Sequence, residues 1–433
     1  MVVAGLLLAP AAFAQRPHFD PQNDYAYDLT ATADTVASVA LDAEGFSWPD
    51  AKAWGNTMLL EITVAASGDD GPRIDVTTSS GTRHQVFEAG AKGRRFLDLS
   101  GWNSLTPGEH VALKGSGLTW SPGPAKLFSY HNAPPTAGKV LVVAPHPDDA
   151  EIAAFGLYRQ TGADVVTVTA GDAGGENFGT LFTDKGEHYR VKGWIRTWDS
   201  ITVPFYGGIP PGRARNLGYY DATLRQMKTA PATPVLPLLA KLDDPAFYRR
   251  CNVDPELRQR AFQATWDNLV SDLLRELERV KPTLVAAPHP LLDAHADHQY
   301  TTIALIEALA QWPGQCELYL YTNHALENEA FPLGDRGAMT GLPATSRAEL
   351  FFSRICSFPL TTEDQKLKLV ALEDMHDLRA FDLRDGTPPV EEETRRSWKE
   401  HDYYRRGPRP NELFFVLSKT DALKLRESFL SGR

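Results

Sequence analysis

Three cysteines in 433 residues, Cys251, Cys316 and Cys356, are too few to build a disulfide framework. None has CxxC spacing, which excludes a cysteine-based metal site. At most one bridge can form, and buried structural thiols are the expectation. Basic residues are also in deficit: 44 Lys and Arg against 55 Asp and Glu give a formal charge of −11. A nucleic-acid partner calls for a basic patch, so none is expected. No apolar run approaches the ~20 residues that span a bilayer. No G-x-G-x-x-G follows the apolar segment Lys139–Ala144. Without it no backbone cradle forms for a pyrophosphate, so a nucleotide cofactor is not expected. Internal repeats and low-complexity segments are missing as well.

A hydrophobic content of 42% supports real cores, and the length favours two domains over one. Val2–Ala14 is an apolar run ending in Ala-Phe-Ala before Gln15, which matches the h-region and cleavage site of a secretory signal peptide. The expectation is a periplasmic or secreted protein with no membrane span once the leader is gone. Between about 25 and 130, short alternating segments such as Thr57–Val64, Arg95–Ser100, Val111–Leu113 and Lys126–Phe128 are separated by Gly, Asp, Ser and Pro. That rhythm predicts a β-sandwich or jelly roll. The Pro- and Gly-bearing stretch Asn132–Gly138 is a linker, which divides the chain into a leader (1–14), an all-β domain (15–135) and a second domain (136–433).

From Lys139 the pattern changes to strand–helix alternation. Apolar, β-branched runs at Lys139–Ala144, Asp164–Ala170, Thr283–Ala287 and Glu317–Tyr321 alternate with an amphipathic helix over Leu257–Lys281 and another over His298–Gln311. The expected fold is α/β, a Rossmann-like, mainly parallel sheet with helices on both faces. The tract Ala173–Asp254, rich in Gly, Pro, Tyr and Arg, reads as irregular and as one wall of a site.

Two strand ends carry chemistry. Lys139–Ala144 runs into Pro145-His-Pro-Asp-Asp149, and Thr283–Ala287 precedes His295-Ala-Asp-His298. In open α/β sheets, ligands bind beyond the carboxyl ends of the strands. A catalytic zinc takes three ligands from His, Asp or Glu and leaves one position for water. A further carboxylate must take the water's proton, and an acid must protonate the leaving group. His146, Asp149 and His298 are the natural ligands, Asp148 remains as base, and His295 can point into the same cleft. Zn2+, or another divalent metal, is the expected cofactor.

Pro145–Glu151 and His295–His298 resemble the two signature motifs of the PIG-L/LmbE-like zinc de-N-acetylases, with similarity over roughly residues 139 to 325. The resemblance implies removal of N-acetyl groups, mostly from N-acetylglucosamine units. It implies zinc on His146, Asp149 and His298, and Asp148 as general base. His295 would stabilise the oxyanion and act as general acid, with Asp297 tuning it. It further places Asp172, Arg196 and Asp221 at the substrate, with Asp199 bordering the pocket; Asp172 is one methylene shorter than the family's frequent Glu. Where some members carry a Tyr two residues before the first His of the second motif, this chain has Asp293.

With a sandwich alongside, the substrate expected is an amino-sugar unit of an envelope or secreted glycan or glycolipid. Two alternatives stand: a deacylase of a small N-acyl amine, and a carbohydrate-binding protein whose α/β domain is inert. Trp48, Trp54, Trp102 and Trp120 can stack on sugars or pack a core. The run Trp398–Arg409 reads either as an approach to the cleft or as a solvated surface loop.

Overall fold

The computed structural model describes residues 19–51, 53–67, 71–175, 181–325, 331–378 and 406–432. The leader-like run 1–14 and most of 398–409 therefore lie outside the described residues. Among the described residues no helix is long and apolar enough to cross a membrane.

Nine strands make up the described chain from 35 to 130. They are β1 (Thr35–Leu41), β2 (Gly45–Ser47), β3 (Thr57–Ala66), β4 (Arg73–Thr78), β5 (Gly81–Val86), β6 (Lys92–Asp98), β7 (His110–Ser116), β8 (Leu118–Trp120) and β9 (Gly123–Tyr130). One sheet runs β1-β9-β3-β6 with β8 beside β3, and the other runs β2-β7-β4-β5. All pairings are antiparallel. Met58, Leu60, Ile62 and Val64 of β3 point inward and meet Ile74 and Val76 of β4 in one core, the period-2 pattern of a sandwich. Trp48 and Trp102 are buried in that core, with Trp54 and Trp120 packed against it. These tryptophans pack the fold.

The second half begins with β10 (Val140–Ala144), α1 (Asp149–Thr161), β11 (Asp164–Thr169), α2 (Lys185–Thr202), β12 (Ala214–Tyr219) and α3 (Leu224–Thr229). It continues through α4 (Pro255–Gln259), α5 (Trp266–Val280), β13 (Leu284–Pro288), α6 (Ala296–Gln311) and β14 (Glu317–Tyr321). It closes with β15 (Arg354–Pro359), α7 (Thr362–Asp374), β16 (Asn411–Ser418) and α8 (Lys419–Ser431). The sheet order is β12-β11-β10-β13-β14-β16-β15. The first five strands pair in parallel, and β16 is antiparallel to both its neighbours. The chain is thus a mixed α/β protein. Both faces of β10 are covered: Val140, Val142 and Ala144 pack with Phe155 and Leu157 of α1, whereas Leu141 and Val143 pack with Leu273 of α5 and Ile303 of α6. Burial on both sides explains why these strands read as continuous apolar runs.

Two expectations are corrected. The tract Ala173–Asp254 is not irregular: it supplies the sheet-edge strand β12 and the 18-residue helix α2. The amphipathic stretch Leu257–Lys281 is two helices. Asp254 caps α4, Arg260 turns to extended backbone, and the Thr265 hydroxyl accepts the Asn268 N–H to start α5 afresh. All three cysteines are free, with Cys316 and Cys356 buried. Arg406 and Arg409 are buried too, against the solvated-loop reading. The Arg409 guanidinium donates to the carbonyls of Pro332 (2.7 Å), Leu333 (2.8 Å) and Gly334 (2.7 Å).

Helix α1 is interrupted at Ala154 (φ −138°, ψ 19°). The break leaves amide N–H groups without helical acceptors, and Glu412 of β16 fills the gap. Its carboxylate accepts from Gly156 N (2.8 Å) and Leu157 N (3.0 Å), and Lys368 Nζ of α7 donates to it at 2.8 Å. Both charged side chains are buried, 1% and 2% exposed.

The sandwich and the α/β half share a core. Leu59, Phe96, Phe128 and Tyr130 belong to the same apolar cluster as Ile355 and Phe415, and Tyr27 stacks on Phe415 with 5.9 Å between ring centroids. Buried hydrogen bonds cross the seam: Ser357 N to Thr57 Oγ1 (2.9 Å), Asn132 Nδ2 to the Ile355 carbonyl (3.0 Å) and Asn411 Nδ2 to Asp98 Oδ2 (3.1 Å).

Candidate metal centre and active site

The carboxyl end of β10 runs straight into Pro145-His-Pro-Asp-Asp149. Asp148 adopts φ 125°, ψ −30°, a region that costs a non-glycine residue free energy unless its surroundings hold it there. Arg196 of α2 supplies that hold, donating from Nη2 to the Pro147 carbonyl (2.8 Å) and to Asp148 Oδ2 (2.9 Å). Gly171, at φ 66°, makes room for the guanidinium, since a Cβ there would lie 2.5 Å from Arg196 Nη1.

His146, Asp149 and His298 converge. His146 Nδ1 lies 3.2 Å from Asp149 Oδ2 and 3.2 Å from His298 Nε2, and His298 Nε2 lies 3.1 Å from the same Asp149 oxygen. The outer ring nitrogens explain which inner atoms are bare. His298 Nδ1 faces Asp293 Oδ2 at 3.0 Å, and His146 Nε2 faces Asp221 Oδ1 at 3.1 Å and Asp297 Oδ2 at 3.4 Å. Each imidazole gives its N–H outward to a carboxylate, which fixes its tautomer and turns its lone pair inward. Three acceptor atoms in a near-equilateral triangle repel one another unless a cation joins them. Such a triangle is one face of a tetrahedron whose centre lies about 2.0 Å from each corner, the ligand distance of zinc to His and carboxylate. The donor set fits a divalent metal.

The electrostatics of the protein residues agree. Burial opposes charge on His298, but Asp149 and Asp293 outweigh it and raise its pKa to about 10. His146 is likewise raised well above its ordinary value: burial works against charge, and Asp221 and Asp149 overcome it. Burial also penalises the Asp149 carboxylate, yet His298 and His146 hold it well below the usual carboxylate range. The cluster calls for positive charge at its centre. Beside it, burial lifts Asp148 to about 7, with Arg196 pulling it down and Asp149 pushing it up.

A cavity of about 200 Å³ opens on this cluster, its walls including His146, Asp148, Asp149, Asp221, His295 and His324. Arg196 also lines it. A larger cleft of about 520 Å³ lies along the seam with the sandwich, but it brings no imidazole or carboxylate to its wall.

The remaining expected residues divide. His295 caps α6, its Nδ1 accepting the Asp297 N–H at 3.2 Å, so its Nε2 is left as the proton-bearing atom. The Asp297 carboxylate does not reach the His295 ring in the way expected of a tuning residue. It accepts Ala222 N (2.6 Å) and Leu224 N (3.3 Å) and faces His146. Asp221 is on the cavity wall, where it is also the hydrogen-bond partner of His146. Asp172 is not on that wall; it is buried behind Asp221 and accepts its backbone N–H at 2.8 Å. Asp199 faces His376 Nδ1 at 2.7 Å.

Five residues escaped the sequence reading. Asp293 is a hub: Oδ2 faces His298 and accepts Asn323 N (3.0 Å) and His324 N (3.2 Å), while Oδ1 accepts His295 N (3.0 Å). Asn323 donates to Asp149 Oδ1 at 2.8 Å, and His324 lines the cavity. Lys192 and Asp377 pair at 3.3 Å and also line the cavity. A signal for Asn323 and His324 was available, since both follow the carboxyl end of a strand that neighbours β13. Asp293→Ala should leave His298 free to turn and should weaken divalent metal binding by about 10- to 100-fold, measured by competition with a chromophoric chelator. An unchanged metal affinity would remove Asp293 from this role.

Residues 141–309 match the family model described as PIG-L: GlcNAc-PI de-N-acetylase. This stretch is a PIG-L domain. It contains both motifs and all of β10 but Val140. Part of the chain is also similar to the crystal structure of GalB, the 4-carboxy-2-hydroxymuconate hydratase from Pseudomonas putida KT2440, at 15% identity over 65% of this chain and 95% of that one, with a TM-score of 0.34. The acetyl xylan esterase Est2A from the rumen bacterium Butyrivibrio proteoclasticus is 10% identical over 68% of this chain and 88% of its own, with a TM-score of 0.18. At such scores neither likeness bears on fold or activity. Comparison with curated proteins returns no match. The PIG-L domain supports de-N-acetylase chemistry on substrates of the N-acetylglucosamine type, with the His/Asp cluster able to hold its metal.

Proposed function

We propose that the chain is a zinc-dependent hydrolase that removes N-acetyl groups from an amino-sugar unit of an envelope or secreted glycan or glycolipid. The observation that carries this reading is the donor triangle of His146, Asp149 and His298, with His146, Asp149 and the neighbouring Asp148 lining the cavity, inside the PIG-L domain. The envelope setting rests on the leader-like run Val2–Ala14.

Zinc held by the triangle would supply Lewis acidity, lowering the pKa of a bound water and polarising the acetamide carbonyl. Asp148 takes the proton of the attacking water, its carboxylate aimed by Arg196. His295 stabilises the oxyanion through its Nε2–H, because Nδ1 is engaged by the Asp297 N–H, and the proton that Asp148 took from water passes to the departing amine as the C–N bond breaks. Asp221 and Arg196 border the sugar. Asp297 and Asp293 orient His146 and His298. Acetamide and water become acetate and a free amino sugar.

A cavity of about 200 Å³ is smaller than the roughly 300–1,000 Å³ of pockets that swallow drug-sized ligands. It suits one sugar unit, with the rest of a glycan outside. The test is acetate release by zinc-reconstituted protein from envelope glycans, N-acetylglucosamine and N-acetylgalactosamine oligomers and small N-acylated amines. Release from the amino sugars, abolished by a chelator and restored by zinc, is expected. Metal-replete protein that frees no acetate from any amino sugar would sink the reading.

A further inference from the structure

We propose that the cleft along the seam is a second sugar subsite, which holds an anionic unit of the glycan chain on Arg83. The inference rests on the reading of the substrate as a glycan and names a chemical class for that chain.

Both halves of the molecule build the cleft. Asn56, Arg83 and Asn103 come from the sandwich, and Thr362 and Gln365 come from the start of α7. Its volume of about 520 Å³ falls within the roughly 300–1,000 Å³ of ligand pockets, which favour the junctions between domains. The catalytic cavity, at about 200 Å³, is less than half as large. Amides and hydroxyls are the groups that exchange hydrogen bonds with sugar hydroxyls. No hydrogen bond engages the side chain of Asn103 or Thr362 among the described residues.

Arg83 is the one ionisable residue among the described residues of this wall. Its guanidinium is held in place from two sides. The face lies over Trp102, 4.9 Å from the ring centroid, and Nη1 donates to the Ser100 carbonyl. Gly101, at φ 84°, leaves it that seat, since a Cβ there would press on Nη1 at 3.2 Å. The other edge, Nε and Nη2, has no acceptor among the described residues, and no carboxylate there lies within ion-pair distance. Asp98, behind Ser100, accepts instead from Ser100 N at 2.8 Å and Asn411 Nδ2 at 3.1 Å. Two parallel N–H groups match the two oxygens of a carboxylate or phosphate, and a fork already fixed gives up little freedom in binding one. A sugar bearing such an oxyanion satisfies the wall: its charge on Arg83, its hydroxyls on Asn103, Thr362 and Gln365.

Helix α7 measures the distance to the chemistry. Thr362 opens the helix at the cleft, and Asp377 and Leu378, just past its end, line the catalytic cavity. Thirteen residues at 1.5 Å each put the two openings roughly 20 Å apart. A chain of several sugar units covers that span, and a single amino sugar does not. The cleft therefore adds affinity for a long, charged substrate and leaves the reaction of a short one unchanged.

The test uses the zinc-loaded chain and three oligosaccharides of equal length. One is N-acetylglucosamine throughout, one alternates it with glucuronate, and one carries phosphate in place of the carboxylates. Calorimetry should show about tenfold tighter binding of a charged oligomer than of the neutral one, and the oligomer preferred identifies the oxyanion. Arg83→Gln should abolish that preference. Thr362→Trp, which fills the cleft from an exposed position, should weaken the charged oligomer by about tenfold as well. Both variants should release acetate from a single amino-sugar substrate with kcat and KM within about twofold of wild type. Equal affinity of wild type for charged and neutral oligomers would overturn the proposal, as would a preference that survives either substitution. Binding needs no turnover, so the two readings fail separately: absence of acetate release from every amino sugar refutes the function, and affinity indifferent to Arg83 refutes the subsite.

Discussion

Asp148→Asn protein should keep its metal and lose about 10³-fold in acetate release, close to 4 kcal/mol of barrier. The substitution is clean for structural reasons. Asn tolerates a positive φ as Asp does, and its side-chain oxygen can still accept from Arg196 Nη2, so the held turn between Pro147 and Asp149 should survive. The donor triangle does not include Asp148. What disappears is a carboxylate oxygen beside the triangle that a guanidinium already aims. Turnover and metal content measured on the same sample decide the matter. A metal-replete variant with activity within tenfold of wild type would move the base elsewhere.

The second large effect lies away from the cavity. Lys368→Met should destabilise the fold by roughly 3–5 kcal/mol, because it leaves the Glu412 carboxylate buried and without its counter-charge. Glu412 joins β16 to the restarted half of α1, and Asp149 is the first residue of that helix. Loss of the ammonium should therefore loosen the metal triangle as well as the core. Glu412→Gln should cost less, since an amide oxygen still accepts a helix N–H without carrying charge. Urea unfolding of the variants measures both, and a loss below ~1 kcal/mol in Lys368→Met would show that water or rearrangement relieves the buried charge.

The parts of this fold that were legible in the sequence are those governed by local pattern. Val140–Ala144 and Leu284–Pro288 are buried on both faces and read as apolar runs, and the polar residues just beyond them, His146, Asp148, Asp149, His295 and His298, are the ones the structure brings together. Less legible was whatever depends on distant contacts. Helix α2 hides its period because one face packs charged residues, Lys192 and Arg196, into the interior. The split between α4 and α5 turned on a Thr cap inside a continuous apolar stripe. The turn of the Asp297 carboxylate toward His146 and two backbone N–H groups has no signal in its sequence proximity to His295. The positive φ of Asp148 has no sequence signal beyond the residue's tolerance for it, and the hub position of Asp293 emerges only when β14 is laid beside β13.

The core shared across the seam has a consequence for ancestry and engineering. A sandwich that could be lifted off would leave behind a wet, polar surface. Here removal would expose Phe415 and strand Thr57, Asn132 and Asp98 from their buried partners. The two halves therefore cannot be exchanged like beads on a string. A chimera that gives this PIG-L domain another sandwich must also carry over the stacking of Tyr27 on Phe415 and the buried hydrogen bonds that cross the join. Sequence drift on either side is constrained to be joint, so substitutions at Thr57 and Ser357, or at Asp98 and Asn411, should travel together through descendants of this chain.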